Sequence, residues 1–553
     1  MTNTSMQIQQ KLGQKRLFYA TRDIERAEAG LLLGISNFWI ITNNSPRAKI
    51  LANEHKNIII ADDKKTLDTW QSLQTPRARR SIKPGEYILV FKNTKQIETT
   101  CARNDWHLLN PKAELSSKIE EKISQIERLG PLTKYLPTFQ IEICEKLKWK
   151  KKKFILQFNR AHTGSGTFLI SSKKELDGVR KKFPKREARI TKYIKGPFFT
   201  NNNIVWGDRI LTGNINYQIT GLKPFTDNPF ATIGNDWELP HKILNKKKIA
   251  EYDKIALAAG KRLKKFGWKG LYGIDAVMDA KTKKIYLIEI NARQPASATY
   301  ESQLQNSVIA RSEATKQSHT TFEAHLASLI GIPANKESLT KISTGAQIIQ
   351  RVTTNTTVVS EPRIMKPDNL RYVYYNNTAL NSDLLRIQTN VGVMAEHNKF
   401  NSEGGKIIDF IVCAKHGNPW NAPRAGTILI RDNKILLIKR YKFGKKYFAI
   451  PGGTLDNDKN MLALAKREIL EETGLKFEPV SAEPIHVVSN GRDEYYFIGK
   501  NVRGESKLGG PEIEHTHPDN SYELKWIKLS DLKKINLLPK QMKKIIYDLK
   551  NII

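Results

Sequence analysis

The sequence predicts a multidomain chain of α/β and α+β units, and three observations carry that expectation. Short apolar strands alternate with helical patterns over residues 1–110, the signature of a parallel sheet. Near the middle, two apolar runs at 276–278 and 285–288 flank a lysine-rich turn and lead into polar residues, as in a hairpin. Near the end, the glycine turn Pro451-Gly452-Gly453 precedes a loop and a stretch with helical periodicity that closes at Leu475. A chain of 553 residues has material for more than one buried core.

In chain order, residues 16–20 (RLFYA), 37–42 (NFWIIT), 57–60 and 87–92 (YILVFK) read as buried strands, with a helical pattern at 23–33 between the first two. A helix is expected over 111–130, ending at Gly130-Pro131. A strand at 154–158 then leads into the loop 159–167, NRAHTGSGT, where Gly164 and Gly166 around Ser165 let backbone amides approach a phosphate and Thr167 adds a hydroxyl. An ordinary turn is the competing reading of so short a motif. Further strands are expected at 344–352, 370–375 and 384–394, and a short apolar strand before the proline-bearing stretch 416–424. In the last segment, strands at 426–430 and 434–440 form a hairpin around Asp432-Asn433, and strands at 447–450, 494–498 and 524–528 surround the helix.

Composition limits the function classes. The formal net charge is +36, from 91 Lys+Arg against 55 Asp+Glu, but the basic runs are scattered and lack interleaved aromatics. Lysine, asparagine and isoleucine are abundant throughout, as an AT-rich coding sequence produces. A nucleic-acid partner is therefore not expected, whereas a positive surface suits phosphorylated substrates. The three cysteines, Cys101, Cys144 and Cys413, have no paired spacing, which argues against disulfides and structural zinc and fits a reducing compartment. The N-terminus lacks a signal-like apolar core, and the most apolar later stretch, 30–42, is too short to span a bilayer, so no membrane partner and a cytoplasmic location are expected.

Two groups of side chains carry chemistry. On a helix ending at Leu475, Glu468, Glu471 and Glu472 project from one face, and clustered carboxylates hold hard divalent ions that polarise a diphosphate under attack by water. On the strand following the central turn, Glu289, Asn291 and Arg293 alternate onto one face, with Asp275 on the neighbouring strand. Two carboxylates, an amide oxygen and a guanidinium suit Mg²⁺ bound to ATP phosphates. A hairpin with a polar outer face competes with that reading.

The C-terminal stretch resembles the Nudix box, with Gly453, Arg467, Glu468, Ile469, Glu471, Glu472, Gly474 and Leu475 in register and Lys459 where the box has a glutamate. The resemblance implies a mixed-sheet sandwich over 420–553, metal binding by Glu468, Glu471 and Glu472, catalysis through Glu471 and Glu472, and an extra ligand or base at Glu512. The central combination of glycine loop and acidic hairpin resembles the ATP-grasp family. It implies a pre-ATP-grasp α/β domain at 1–110 and a two-lobed ATP-grasp domain at 111–415. Within the latter, 307–319 (SVIARSEATKQSH) separately resembles peptides encoded by inserted palindromic repeats and reads as a surface loop, a native polar loop being the alternative. The ATP-grasp resemblance further implies a lid at Gly164, Ser165, Gly166 and Thr167, metal ligands at Asp275, Glu289 and Asn291, and a catalytic arginine at Arg293. Tyr193 and Ile194 match the adenine hinge, Lys122 a nucleotide-binding lysine, and Gln157 stands where relatives carry a lysine.

Taken together, these readings describe a bifunctional enzyme. One half is an ATP-dependent carboxylate ligase working through an acyl phosphate on a small carboxylate and a nucleophile. The other is a Mg²⁺- or Mn²⁺-dependent hydrolase of a nucleoside-diphosphate-linked substrate. The alternatives are a hydrolase carrying a nucleotide-binding scaffold weakened at Gln157, and a basic RNA-binding protein built on both folds. The oligomeric state has no signal in the sequence.

Overall fold

The computed structural model describes residues 2–159, 166–310, 318–335, 338–353, 370–375, 377, 379–415, 423–442, 445–454, 460–489, 492–510 and 520–549. The chain divides into two compact units, one comprising Met1–Asn355 and Asp368–Phe400, the other Thr356–Pro367 and Asn401–Ile553.

The first unit opens with a five-stranded parallel sheet in the order Ile58–Ile60, Phe38–Thr42, Leu17–Ala20, Tyr87–Val90, His107–Leu108. Alternation along its central strand sends Leu17 and Tyr19 to one face and Phe18 and Ala20 to the other, all fully buried. On the first face Tyr19 and Phe38 pack against Phe322 of the helix Thr321–Ile330, with ring centroids 6.1 and 6.2 Å apart. The second face is covered by Leu73, Ile97 and Cys101 from the helices Thr69–Gln74 and Lys95–Arg103. Gly30 is required here, because a Cβ would sit 2.1 Å from the Phe38 ring.

Next comes a four-stranded antiparallel sheet in the order Phe139–Ile143, Glu187–Lys192, Phe154–Phe158, Thr167–Ile170. A nine-stranded sheet holds the hairpin Gly270–Met278 and Ile285–Asn291 at one edge and runs through Phe198–Trp206 to Ala346–Arg351, Asp383–Thr389 and Leu370–Tyr374.

Four expectations need correction. The helix expected over 111–130 is broken into Ala113–Glu120 and Ser124–Leu129, because the Asn159 side chain accepts hydrogen bonds from the Ile123 and Ser124 amides and caps the second piece. Residues 407–413 are not a strand but part of the helix Ser402–Lys415, with Ile407 and Ile411 buried one turn apart. The strand expected over 384–394 stops at Thr389, and Met394–Glu396 forms a separate short strand. Residues 311–317 of the presumed insertion lie outside the described residues. Its ends are not surface loop: residues 307–309 complete the helix Ala298–Ile309, and His319 is buried 3.2 Å from the Glu323 carboxylate.

In the second unit, Arg424–Arg431 and Lys434–Lys442 meet at Asp432 and Asn433, both at positive φ as a tight hairpin turn demands. These strands, with Arg492–Arg503, Asn520–Lys528 and shorter partners, make a mixed nine-stranded sheet beside the helix Met461–Thr473. No helix among the described residues is long and apolar enough to cross a membrane.

A buried histidine gives the first unit a measurable pH response. The Leu271 amide donates to His325 Nδ1 at 3.0 Å, which fixes the neutral ring with its proton on Nε2, and burial pushes the imidazole down to about 3. Protonation is suppressed in the folded state, so this contribution is intact above the unfolded value of about 6.5 and is lost as pH falls from there towards 3. We predict that His325→Asn, which keeps an acceptor for Leu271, is less stable at pH 8 yet loses stability more slowly between pH 6.5 and 4. Parallel urea-stability curves for the two proteins would contradict this.

Candidate functional site

In the first unit the hairpin sets the geometry. Asp275 pairs with Glu289 and Gly273 with Asn291, and a register shift after Asp275 breaks the regular alternation, so that the polar side chains converge. Asn291 Nδ2 donates to Asp275 Oδ2 at 3.1 Å, and Arg293 donates to Asn291 Oδ1 at 2.6 Å. The same guanidinium nitrogen reaches Glu120 Oε1 at 2.6 Å, and Lys92 pairs with the other Glu120 oxygen. Burial opposes ionisation of Glu120, but Arg293 and Lys92 outweigh it and hold the carboxyl below its usual range. Burial raises Asp275, against hydrogen bonds from Thr200 and Asn291 and the charges of Lys122 and Arg293.

Lys122 lies in the break between the two helices, its amide bonded to the Asn159 carbonyl, and its ammonium forms an ion pair with Glu289. Burial and the nearby Arg189 push that ammonium down to about 7, with Asp275 and Glu120 acting the other way. Gln157 points inward as expected, 7% exposed, and its carbonyl accepts a 2.6 Å hydrogen bond from Arg189 on the adjacent strand. Gln157 Nε2 reaches Thr167 Oγ1 at 3.4 Å. Arg189 is 2% exposed, and its Nε and second terminal nitrogen have no partner among the described residues. Gly166 closes the strand pair through its carbonyl, while Gly164 and Ser165 lie outside the described residues. Tyr193 and Ile194 follow the strand Glu187–Lys192, and Gly196 lets the chain lie so close to the hairpin that a Cβ would stand 1.9 Å from the Met278 carbonyl oxygen.

In the second unit the helix Met461–Thr473 is capped by Asn460, whose side chain accepts from the Ala463 amide, and by Gly474 at φ 70°. The strand Gly452–Thr454 lies against it so closely that a Cβ on Gly453 would be 2.1 Å from the Glu468 carboxyl carbon. Glu472, 6% exposed, accepts the Gly452 amide at 2.7 Å. Arg467 stands between Glu468 and Glu471, 2.9 and 3.0 Å from their oxygens. Burial raises the Glu468 carboxyl, with Arg467 lowering it and Glu471 raising it further. The three glutamates share a helix turn, with Glu468 and Glu471 bridged by Arg467 and Glu472 held by the Gly452 amide. Among the described residues no group of three or more His, Cys, Asp or Glu is drawn together. Behind them Arg424 donates to the Ile450 and Gly452 carbonyls and lies beside Tyr496 and Glu494. Lys459 and Glu512 fall outside the described residues.

Sequence reasoning missed Glu120, Lys92, Arg189 and Arg424. Only Arg189 left a trace, a charged residue between the apolar Ala188 and Ile190 of a short strand.

The geometry agrees with comparisons to known proteins. The model of the ATP-grasp domain matches residues 119–297 and that of the NUDIX domain matches 420–549. An RNA pyrophosphohydrolase of Pelagibacter ubique is 27% identical over 121 residues, covering 19% of this chain and 74% of that protein. Biotin carboxylase of Campylobacter jejuni, solved as a β-γ-ATP complex, superposes with a TM-score of 0.50 at 12% identity, over 68% of this chain and 87% of that one. An N5-carboxyaminoimidazole synthase of Aspergillus clavatus, with ADP and 5-aminoimidazole ribonucleotide, gives 0.49 at 13% identity, over 72% and 99%. At these identities the structural likeness speaks to fold alone. The chain thus joins an ATP-grasp domain to a C-terminal NUDIX domain.

Proposed function

We propose that the chain is a bifunctional enzyme: an ATP-dependent carboxylate ligase followed by a metal-dependent hydrolase of nucleoside-diphosphate-linked compounds. The observation that carries this reading is that each acidic group draws a cationic side chain against its carboxylates. Lys122 sits against Glu289, and Arg467 sits between Glu468 and Glu471. Such positions attract positive charge, and their oxygen donors suit Mg²⁺ or Mn²⁺. Asp275, Glu289 and Asn291 would hold the ion in the first half, and Glu468, Glu471 and Glu472 in the second. When bound, it neutralises and bridges polyphosphate oxygens.

This chain's own groups supply the rest. Arg293, oriented by Glu120 and Asn291, stabilises negative charge on the phosphoryl group and the carboxylate that accepts it. Lys122 exchanges Glu289 for a phosphate oxygen. Arg189 brings the charge that Gln157 lacks, its free N–H groups pre-oriented by the Gln157 carbonyl. That arrangement weighs against an inert nucleotide-binding scaffold. In the hydrolase half, Glu471, the most exposed of the three glutamates, is best placed to receive a proton from the attacking water.

A second substrate for the hydrolase half, the 5′-polyphosphate end of RNA, is favoured by the named activity of the Pelagibacter relative.

Three outcomes test these assignments. With a panel of carboxylates and amines, ATP and Mg²⁺ release ADP, and Glu289→Gln lowers that rate roughly 100-fold or more; an unchanged rate would refute the ligase site. Arg189→Gln weakens ATP binding roughly 10- to 100-fold by calorimetry, whereas unaltered ATP affinity in the folded variant would leave Arg189 with no role in nucleotide binding. Glu472→Gln cuts Mg²⁺-dependent hydrolysis by roughly 100-fold with the circular dichroism spectrum preserved. Assays on nucleoside-diphosphate-linked compounds and on 5′-triphosphorylated RNA, run side by side, decide between the two substrates.

A further inference from the structure

A second constellation of buried charge in the first unit takes no part in the chemistry above. Glu25 and Arg26 lie in the short helical turn Ile24–Arg26 after the central parallel strand, and Arg386 and Tyr375 come from the paired strands at the far edge of the nine-stranded sheet. Glu25 is 5% and Arg386 3% exposed. Both Glu25 oxygens, Arg386 Nε, one terminal nitrogen of Arg26 and the Tyr375 hydroxyl are buried with no hydrogen-bond partner among the described residues. The Arg386 guanidinium lies 5.8 Å from the Tyr375 ring and 3.8 Å from the Asp383 carboxylate, and Arg26 stacks over Phe91 at 4.4 Å.

A purely structural network would close on itself, because an unpaired buried charge is costly. Glu28, three residues on, does so: Arg47 takes both of its oxygens and Arg371 adds a second guanidinium. Glu25 has no such partner, although Arg386 is near enough to stabilise its charge; burial, with Asp23 and Glu28, pushes it up to about 7. Burial and the nearby Arg386 hold Arg26 below its usual range, with Asp23, Tyr375 and Asp383 acting the other way. Arg26, Tyr375, Asp23 and Asp383 are partly exposed at the rim of this group, while its unpartnered polar atoms are buried.

We propose that Glu25, Arg26, Tyr375 and Arg386 form a binding site for a zwitterion, a compound carrying a carboxylate and a primary ammonium group. The two guanidiniums and the Tyr375 hydroxyl receive the carboxylate, and Glu25 receives the ammonium. The site adjoins the phosphoryl-transfer group, because Gln294, next to Arg293, donates to the Arg26 carbonyl at 3.0 Å, as does Thr299 at 3.1 Å. An α-amino acid or a close analogue is then a substrate of the ligase half. This last step rests on the ligase reading; the binding itself does not.

The test is calorimetry on the full chain with a panel of L-α-amino acids, using propionate and ethylammonium as probes bearing one charge. At least one amino acid binds while neither single-charge probe does at the same concentration, and Glu25→Gln and Arg386→Lys each weaken it roughly 10- to 100-fold with ATP binding unchanged. Absence of amino-acid binding in a protein that binds ATP overturns the proposal, as does propionate binding equally well with no effect of Glu25→Gln. Glu25-dependent amino-acid binding without ADP release under any condition keeps the site and removes the ligase reading. ADP release driven by propionate, with KM unaltered in Glu25→Gln, removes the site and keeps the ligase.

Discussion

Charge held out of water, and compensated without being used up, is the constraint on which the first unit depends. The chain of contacts from Lys92 through Glu120, Arg293 and Asn291 to Asp275 alternates donor and acceptor at every step. Each carboxylate is stabilised by a neighbour that is itself fixed by a further neighbour, which a low-dielectric setting rewards. The chain also crosses elements distant in sequence, since Glu120 ends a helix while Arg293 follows the hairpin. Assembly of the site therefore coincides with folding of the unit. What the chain of contacts leaves over is Glu289, paired with Lys122, and the N–H groups of Arg189 that have no partner among the described residues.

The NUDIX half solves a related problem by backbone proximity. Gly453 approaches the helix so closely that no side chain fits between it and Glu468, and the next amide along, that of Gly452, fixes Glu472. Glycine at 453 is a statement about space, and the glycine at 474 is one about backbone angle. The arginine at 467 keeps two carboxylates from repelling each other until something of higher charge arrives.

The legible part of the sequence was the part governed by local rules. Period-two strands gave the parallel sheet, since Leu17, Tyr19 and their alternates are buried by sheet geometry whatever surrounds them. The glutamates of the last helix were readable because a helix spaces its own side chains. Expectations failed where a distant residue decides. Nothing in residues 111–130 announces a break at 121–123; Asn159, on another element, creates it by capping the second helix, and the break is what turns Lys122 inward. Residues 407–413 carry apolar side chains compatible with either period, and Ile407 with Ile411 reveals the helix only once their burial is known. Glu120 and Lys92 look like surface charges until their partners are placed.

Gln157 and Arg189 show how a buried positive charge can sit on the strand beside the one where the family pattern has it. Strands Phe154–Phe158 and Glu187–Lys192 are antiparallel neighbours with Gln157 opposite Arg189, so a cation moved from one to the other shifts by a single strand spacing. The two residues then become complementary: the amide carbonyl holds one guanidinium nitrogen and leaves the others directed away. A lysine at 157 would place a second cation beside Arg189 and Lys122, where burial and repulsion already push Lys122 down to about 7. Glutamine is thus the residue that lets a buried arginine stand there at all. Beside its neighbour, the neutral side chain is the support of a buried and directional guanidinium.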